Sequence, residues 1–432
     1  MNSVVRWLII GALAGALSAC AGMNAGTTRG TPARVAARSP GVFGELAPPR
    51  TVAPAATQNA SQLKTALAAA TRGDAAAQFV VGSDYLRGAG VQRSLSSAAF
   101  WLRKAAAAGI GPAECDLGYL YETGQGVARD YPKAAKWYGK AAALGIANSE
   151  YNLGLLYTHG FGVPRDYGQA LKWFRASAAQ GDPDAQGLIG FLYRKGWGVP
   201  RNYTKALQWF HRAAARGGAY AEANIGEMYF TGEGVAQNYS QANRWFLLAA
   251  RQGNALAQAA LGLAYLRGAG VPRDDARAIF WLRQSSREGF ADAQNLLGDL
   301  YRDLGRYSRA LKWYRASADA GNPRGECYLA IAYLSGQGTA KDPSRGVAWL
   351  HKAAVGGEAR AQLMLGVQYM IGRAVPRSVE RAYAWVSVAA RAAQHPQYAG
   401  IVRNRIAADM TPAQLAQADR WVRAWKVGRD IE

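Results

Sequence analysis

Tryptophan returns on a fixed beat along most of this chain. Trp101, Trp137, Trp173, Trp209, Trp245 and Trp281 stand 36 residues apart; Trp313 follows after 32, then Trp349 and Trp385 after 36 each. Tyrosines keep the same interval at Tyr85, Tyr121, Tyr157, Tyr193, Tyr229, Tyr265, Tyr301, Tyr333 and Tyr369. Three residues before each tyrosine stands Gly82, Gly118, Gly154, Gly190, Gly226, Gly262, Gly298, Ala330 or Gly366. A period in the thirties marks stacked units that cannot bury an apolar face alone.

The second copy, PAECDLGYLYETGQGVARDYPKAAKWYGKAAALG, shows what one unit is. Ala113, Leu117, Leu120 and Tyr121 fall at helical spacing, and so do Ala134, Trp137, Tyr138, Ala141 and Ala142. Between them TGQGVARD supplies two glycines and then Asp130 at an N-cap position. Gly145 closes the unit as a helix-ending glycine. Each copy therefore predicts helix A, a turn and helix B. The small residue before the tyrosine lets two helices approach closely, and Tyr121 and Trp137 are expected to fill the space beside Gly118. The tryptophan ladder reads as packing, the structural core of the repeat.

The pattern AxxxLGxLYxxGxGVxxDxxKAxxWYxKAAxxG resembles the Sel1-like repeat, a relative of the tetratricopeptide repeat. Lines such as YNLGLLYTHGFGVPRDYGQALKWFRASAAQGDPDAQ match it nearly position for position. The resemblance implies an all-α, right-handed superhelical solenoid of nine helix-turn-helix repeats over residues 74–394. Residues 61–73 read as an N-terminal capping helix. After Trp385 the period stops, and residues 395–432 read as two C-terminal capping helices, with Thr411 as N-cap and Pro412 at the first helical position. The seventh copy, YRDLGRYSRALKWY, lacks four residues of the glycine turn, so a local change of geometry is expected there.

The first twenty residues carry a different signal. Arg6 is their one charged side chain, and Trp7 to Leu17 is apolar or small. That run is too short to span a bilayer as a helix and fits a secretory signal peptide over residues 1–19. Leu17-Ser18-Ala19-Cys20 resembles the lipobox of bacterial lipoproteins, which implies acylation of Cys20 and attachment to a membrane through several chains. Ala21 after it resembles the outer-membrane sorting pattern, so the expected location is the outer membrane, lipid-anchored and facing the periplasm. Residues 20–60 are rich in Ala, Thr, Pro, Arg and Gly and read as a flexible linker spanning about 35 Å.

Candidate chemistry is sparse. Cys115 and Cys327 lie six repeats apart, too far for a bridge within a rigid array. His159, His211, His351 and His395 sit at different phases without metal spacing. Some Sel1-like relatives carry a disulfide in every repeat; this chain does not, so activities proposed for them are not carried over. No enzyme, cofactor or metal is expected. A recurring amide or acid, Gln78, Glu114, Glu150, Gln186, Glu222, Gln258, Gln294, Glu326 and Gln362, reads as a complement to the amides at the start of helix A.

Charge adds the remaining functional content. Lys and Arg number 51 against 29 Asp and Glu, a net charge of +22. At one phase of the A–B turn stand Arg93, Arg129, Arg165, Arg201, Arg273, Lys341 and Arg377, with Gln237 between. In a solenoid, equal phase means one edge, so these form a candidate basic ridge. It is either a solvated edge or a face for an anionic partner such as a polysaccharide. Nucleic acid fits the charge but not the exported address. Three functions stay open. The first is an envelope scaffold that binds an outer-membrane porin or secretion subunit, similar in layout to the lipoprotein of alginate-type exopolysaccharide export. The second is a periplasmic regulator that binds a sensor kinase or protease. The third is a glycan-binding protein that uses the ridge.

Overall fold

The computed structural model describes residues 50–52, 60–392 and 396–431. The signal peptide, Cys20, most of the linker and His395 lie outside the described residues. Among those described there are helices and turns and no strand. The chain divides at residue 254 into two units.

In the first unit, α1 (Ala60–Thr71) precedes five helix pairs. These are α2 (Ala75–Arg87) with α3 (Leu95–Ala107), α4 (Gly111–Thr123) with α5 (Tyr131–Ala143), and α6 (Ala147–His159) with α7 (Tyr167–Ala179). Then come α8 (Pro183–Lys195) with α9 (Tyr203–Ala214), and α10 (Ala219–Thr231) with α11 (Tyr239–Arg251). The second unit begins with α12 (Ala255–Arg267) and α13 (Asp275–Arg287), followed by α14 (Ala291–Asp303) and α15 (Tyr307–Asp319). It continues with α16 (Pro323–Ser335) and α17 (Pro343–Val355), α18 (Ala359–Ile371) and α19 (Val379–Ala392), and closes with α20 (Pro396–Ala408) and α21 (Pro412–Ala424). Within each unit every helix up to α20 packs on the one before it, the stacking of a solenoid, and α21 packs on α19.

Local chemistry sets the helix starts. Asp130, Asp166, Asn202, Asn238, Asp274 and Asp342 each cap a B helix by accepting from a backbone amide in its first turn. The amide of each cap residue donates to the carbonyl of the repeat tyrosine, as in Asp130 to Tyr121 at 2.9 Å and Asn238 to Tyr229 at 2.8 Å. The shortened seventh copy keeps this closure, Arg306 N to Tyr301 O at 2.8 Å, without a side-chain cap. The deletion thus removes loop and leaves the closing bond in place. Thr411 caps α21 as the sequence predicts, and Gln414 completes a reciprocal capping box with it.

The core differs from expectation in one respect. The residue seated on the repeat glycine is the one after the tryptophan. Leu102 sits on Gly82, Tyr138 on Gly118, Phe174 on Gly154, Phe210 on Gly190, Phe246 on Gly226, Leu282 on Gly262, Tyr314 on Gly298 and Val386 on Gly366. Trp101, Trp137, Trp173, Trp209, Trp245, Trp281, Trp313 and Trp349 are half-buried; Trp385, covered by the C-terminal helices, is buried. Adjacent residues on a helix point about 100° apart. One therefore enters the pair and the other lies along its edge, several with a Lys or Arg above the ring, such as Lys140 over Trp137 at 4.5 Å.

The chain end seals the second unit. Trp425 meets Trp385 edge to face, Gly428 N donates to Val355 O at 2.8 Å, and His351 pairs with Asp430 at 2.8 Å. Ile431 is buried.

Candidate functional site

Three residues of the segment read as linker are held against the A helices of the second to fourth repeats. Arg50 N donates to Asn152 Oδ1 at 3.1 Å, and Asn152 Nδ2 donates back to Arg50 O at 2.9 Å. Asn148 Nδ2 donates to Thr51 O at 3.0 Å, and Val52 N donates to Asp116 Oδ1 at 2.6 Å. The Arg50 guanidinium lies 4.2 Å over the Tyr151 ring, donates to Asp182 at 2.8 Å and pairs with Asp184. These three residues are fixed by backbone contacts with α4 and α6 and by the Arg50 side chain at the start of α8; the rest of the segment read as a flexible linker lies outside the described residues.

Each binding group is placed by its helix. Cys115 and Asp116 lie on α4; Asn148, Tyr151 and Asn152 lie on one face of α6; Asp184 is in the first turn of α8. Asp182 is the N-cap of α8, accepting from Asp184 N at 3.0 Å with one oxygen while the other meets Arg50. Asp116 and Asn152 are 36 residues apart, so they occupy one phase of successive repeats. That shared phase is the sequence signal for the pair, and it is weak because most other copies carry apolar residues there, such as Leu188. Burial pushes the Asp116 carboxyl up to about 7, against the opposing pull of the Val52 N–H bond and Arg87. Burial likewise raises Asp184, which Arg50 offsets in part. The Cys115 thiol, 3.6 Å from Arg50 O, is pushed by burial up to about 12, which keeps it protonated and unreactive.

Farther along the same unit, the side chain of Arg194 on α8 is nearly sealed. It donates to Glu227 and Glu233 at 2.7 Å each and to Asn224 at 3.1 Å. This network ties α8 to α10 and to the turn after it.

The predicted ridge residues Arg93, Arg129, Arg165, Arg201, Arg273, Lys341 and Arg377 are all exposed at equivalent turn positions. Most of their stems lie on the left-handed glycine that ends helix A, as Arg129 does on Gly124 and Arg201 on Gly196. Arg93 Nε donates to Leu86 O at 3.1 Å, and Gln237 at the same phase donates to Phe230 O at 2.8 Å. A long donor at this position thus serves the carbonyls at the end of helix A.

The recurring amide-or-acid column is buried, and it joins helices rather than serving its own helix start. Gln78 Nε2 donates to Ala70 O at 3.1 Å and Gln362 Nε2 to Ala354 O at 3.0 Å, each reaching the end of the preceding helix. Glu150 accepts from Gln180 and Glu222 from Gln252, both at 2.8 Å, from the helix that follows. Of the histidines, His159 meets Leu155 O at 2.8 Å and stacks on Phe161, and His211 packs against Trp245. Cys327, like Cys115, is buried. Among the described residues no group of three His, Cys, Asp or Glu could hold a metal ion.

Comparison with known proteins fits this architecture. The Sel1 repeat model matches nine stretches: residues 75–110, 111–146, 147–182, 183–218, 219–254, 255–290, 291–322, 323–357 and 359–393. A Sel1 repeat protein from Oxalobacter formigenes is 33% identical over 60% of this chain and 99% of its own, with a TM-score of 0.50. A protective antigen present in uropathogenic Escherichia coli strains, described as an SLR fold, is 30% identical over 84% of this chain and 86% of its own, with a TM-score of 0.49. No curated protein matches the chain. With nine matched repeats, a helix pair in each and a shared closing bond at each A–B turn, the chain belongs to the Sel1 repeat family.

Proposed function

We propose that this protein is a membrane-anchored scaffold of the bacterial envelope. Cys20 carries the lipid, the outer membrane holds the lipid, and the helix array faces the periplasm and binds another envelope protein. The partner class we assign is an outer-membrane porin or a secretion subunit, in an assembly that exports an exopolysaccharide. The observation that carries the binding role is the array's grip on polypeptide: Arg50–Val52 is held through its backbone by side chains of successive A helices. Backbone-directed bonds of this kind suit a surface that takes extended chain.

The test is in-cell crosslinking of the tagged, lipidated protein with mass spectrometry of what it captures. A porin or polymer-synthesis subunit supports the export scaffold. A sensor kinase or protease replaces it with the regulator reading, and capture of glycan alone replaces it with the glycan-binding reading.

The exposed cations at one turn phase favour that last reading as the alternative. Charge reversal of Arg129, Arg165 and Arg201 should then weaken binding of an anionic polysaccharide while helical circular dichroism is retained. Unchanged binding makes the row a solvated edge. The contact would weaken with salt, because screening shortens to ~3 Å at molar ionic strength.

A further inference from the structure

The contacts of Arg50–Val52 divide into two kinds. Four hydrogen bonds, from Asn148, Asp116 and both ends of the Asn152 amide, engage only main-chain groups. They read no side chain, and any extended segment could make them. The remaining contacts are selective. Asp182 and Asp184 take one guanidinium between them while the Tyr151 ring supports its face. Two carboxylates and a ring match the planar fork of arginine; a lysine ammonium could fill only part of that geometry. Two residues on, Val52 packs against the apolar cluster that includes Cys115, Ala134 and Tyr138. The site therefore specifies an extended backbone with arginine at one position and a small apolar side chain two positions later.

The site is also built at a cost unless something fills it. Asn152 is 1% exposed and spends both ends of its amide on Arg50; Asp116 is 0% exposed and receives the Val52 amide. Buried amides and carboxylates without partners are expensive. Three carboxylates, Asp116, Asp182 and Asp184, also face the segment in a chain whose net charge is +22. None of the segment's three residues belongs to a helix.

We propose that the A-helix face of the second to fourth repeats is a binding site for an extended arginine-x-apolar segment of a partner protein, and that Arg50–Val52 is a resident copy which a partner segment displaces. The resident is covalently attached, so its effective concentration is on the order of millimolar. An isolated partner segment binds weakly until the resident is released. A partner that also engages other repeats gains the avidity to displace it. This deepens the reading of the array as a protein-binding surface and is independent of the membrane address.

The probe is a fluorescently labelled peptide of the resident sequence, LAPPRTVAPAA, titrated by anisotropy against the full chain. Arg50→Ala should bind it about ten-fold or more tightly than the unaltered chain does, because the resident has lost its anchor. Adding Asp182→Asn and Asp184→Asn should weaken that binding about ten-fold or more, and replacing the peptide's arginine with lysine should weaken it several-fold. A second measurement needs no variant: excess peptide should speed hydrogen exchange at the Val52 amide of the unaltered chain. The proposal is overturned if Arg50→Ala, folded by circular dichroism, binds no peptide. It is also overturned if the two asparagines leave binding unchanged, or if peptide leaves Val52 exchange unaltered. An envelope partner whose in-cell crosslink survives the two asparagines would overturn this site and leave the scaffold reading standing.

Discussion

The ring of Tyr138 lies where a side chain of Gly118 would be. A Cβ at Gly118 would come within 2.7 Å of two ring carbons, and Tyr138 is fully buried. The eighth repeat keeps the same close approach by another route. Ala330 stands at the glycine position, and Gly346 replaces the alanine that the other repeats carry on helix B. A Cβ at Gly346 would meet Leu334 at 2.6 Å and Ala330 O at 3.2 Å. The repeat thus needs one glycine at the crossing, on either helix.

Gly118→Ala should therefore destabilise the protein, although alanine favours helix by up to about 1 kcal/mol. Overpacking against a sealed ring costs about 1–3 kcal/mol and outweighs that gain. Adding Ala134→Gly, the arrangement of the eighth repeat, should restore part of the loss. Urea unfolding midpoints of the single and double variants check this. A Gly118→Ala protein as stable as the parent would contradict the crossing argument.

Much of this fold can be read from the sequence because each repeat solves the same burial problem locally. The helix pairs, the Asp and Asn caps and the terminal helices follow from spacing and capping chemistry within a few residues. Trp137 and Tyr138 keep the same period, however, and period alone does not say which faces Gly118; the helix crossing decides. The amide-or-acid column bonds to neighbouring helices, so its role depends on packing between repeats. The site around Arg50 was hidden for a related reason. Its acids lie 64 to 134 residues away in sequence. The prolines Pro48, Pro49 and Pro54 that suggested a free linker also favour the extended backbone that the A helices hold.

Arg194 is the second point where a charge decides stability. Its side chain is 3% exposed between Glu227 and Glu233. Burial pushes Glu227 up, but the Arg194 guanidinium more than offsets it and holds the carboxyl below its usual range. Arg194→Ala should cost roughly 3–5 kcal/mol, because two carboxylates and Asn224 lose their shared partner. A depressed carboxyl contributes stability that is present above its ordinary pKa and lost as pH falls through the folded value. The parent should lose this contribution on acidification, and Arg194→Ala should lack it. Chemical denaturation at neutral and acidic pH reads both effects.

Asp116 has the opposite sign. Its folded pKa, about 7, lies above the ordinary 3.8, so the folded state holds an extra proton between those values. Its contribution is complete below about pH 4 and lost as pH rises through 7, a change on the order of a few kcal/mol. Asp116→Asn should flatten the corresponding slope of stability between about pH 4 and 7. An unchanged slope would mean that this carboxyl is ionised in the folded protein throughout.

The proposed membrane address rests on Cys20. Cys20→Ala should yield a soluble, folded periplasmic protein or an unprocessed precursor, read by fractionation and intact mass. Processed variant protein still in the outer membrane would contradict the lipid-anchor reading.

The proposed partner surface is the A-helix face of this array. The most direct measurement places a photo-reactive residue at Asn148 on that face, or at the exposed Lys136 on α5, in the full-length protein in cells. An adduct with a separate envelope polypeptide is expected from position 148 and none from position 136. Adducts from position 136 alone, or no second polypeptide from either position, would contradict it.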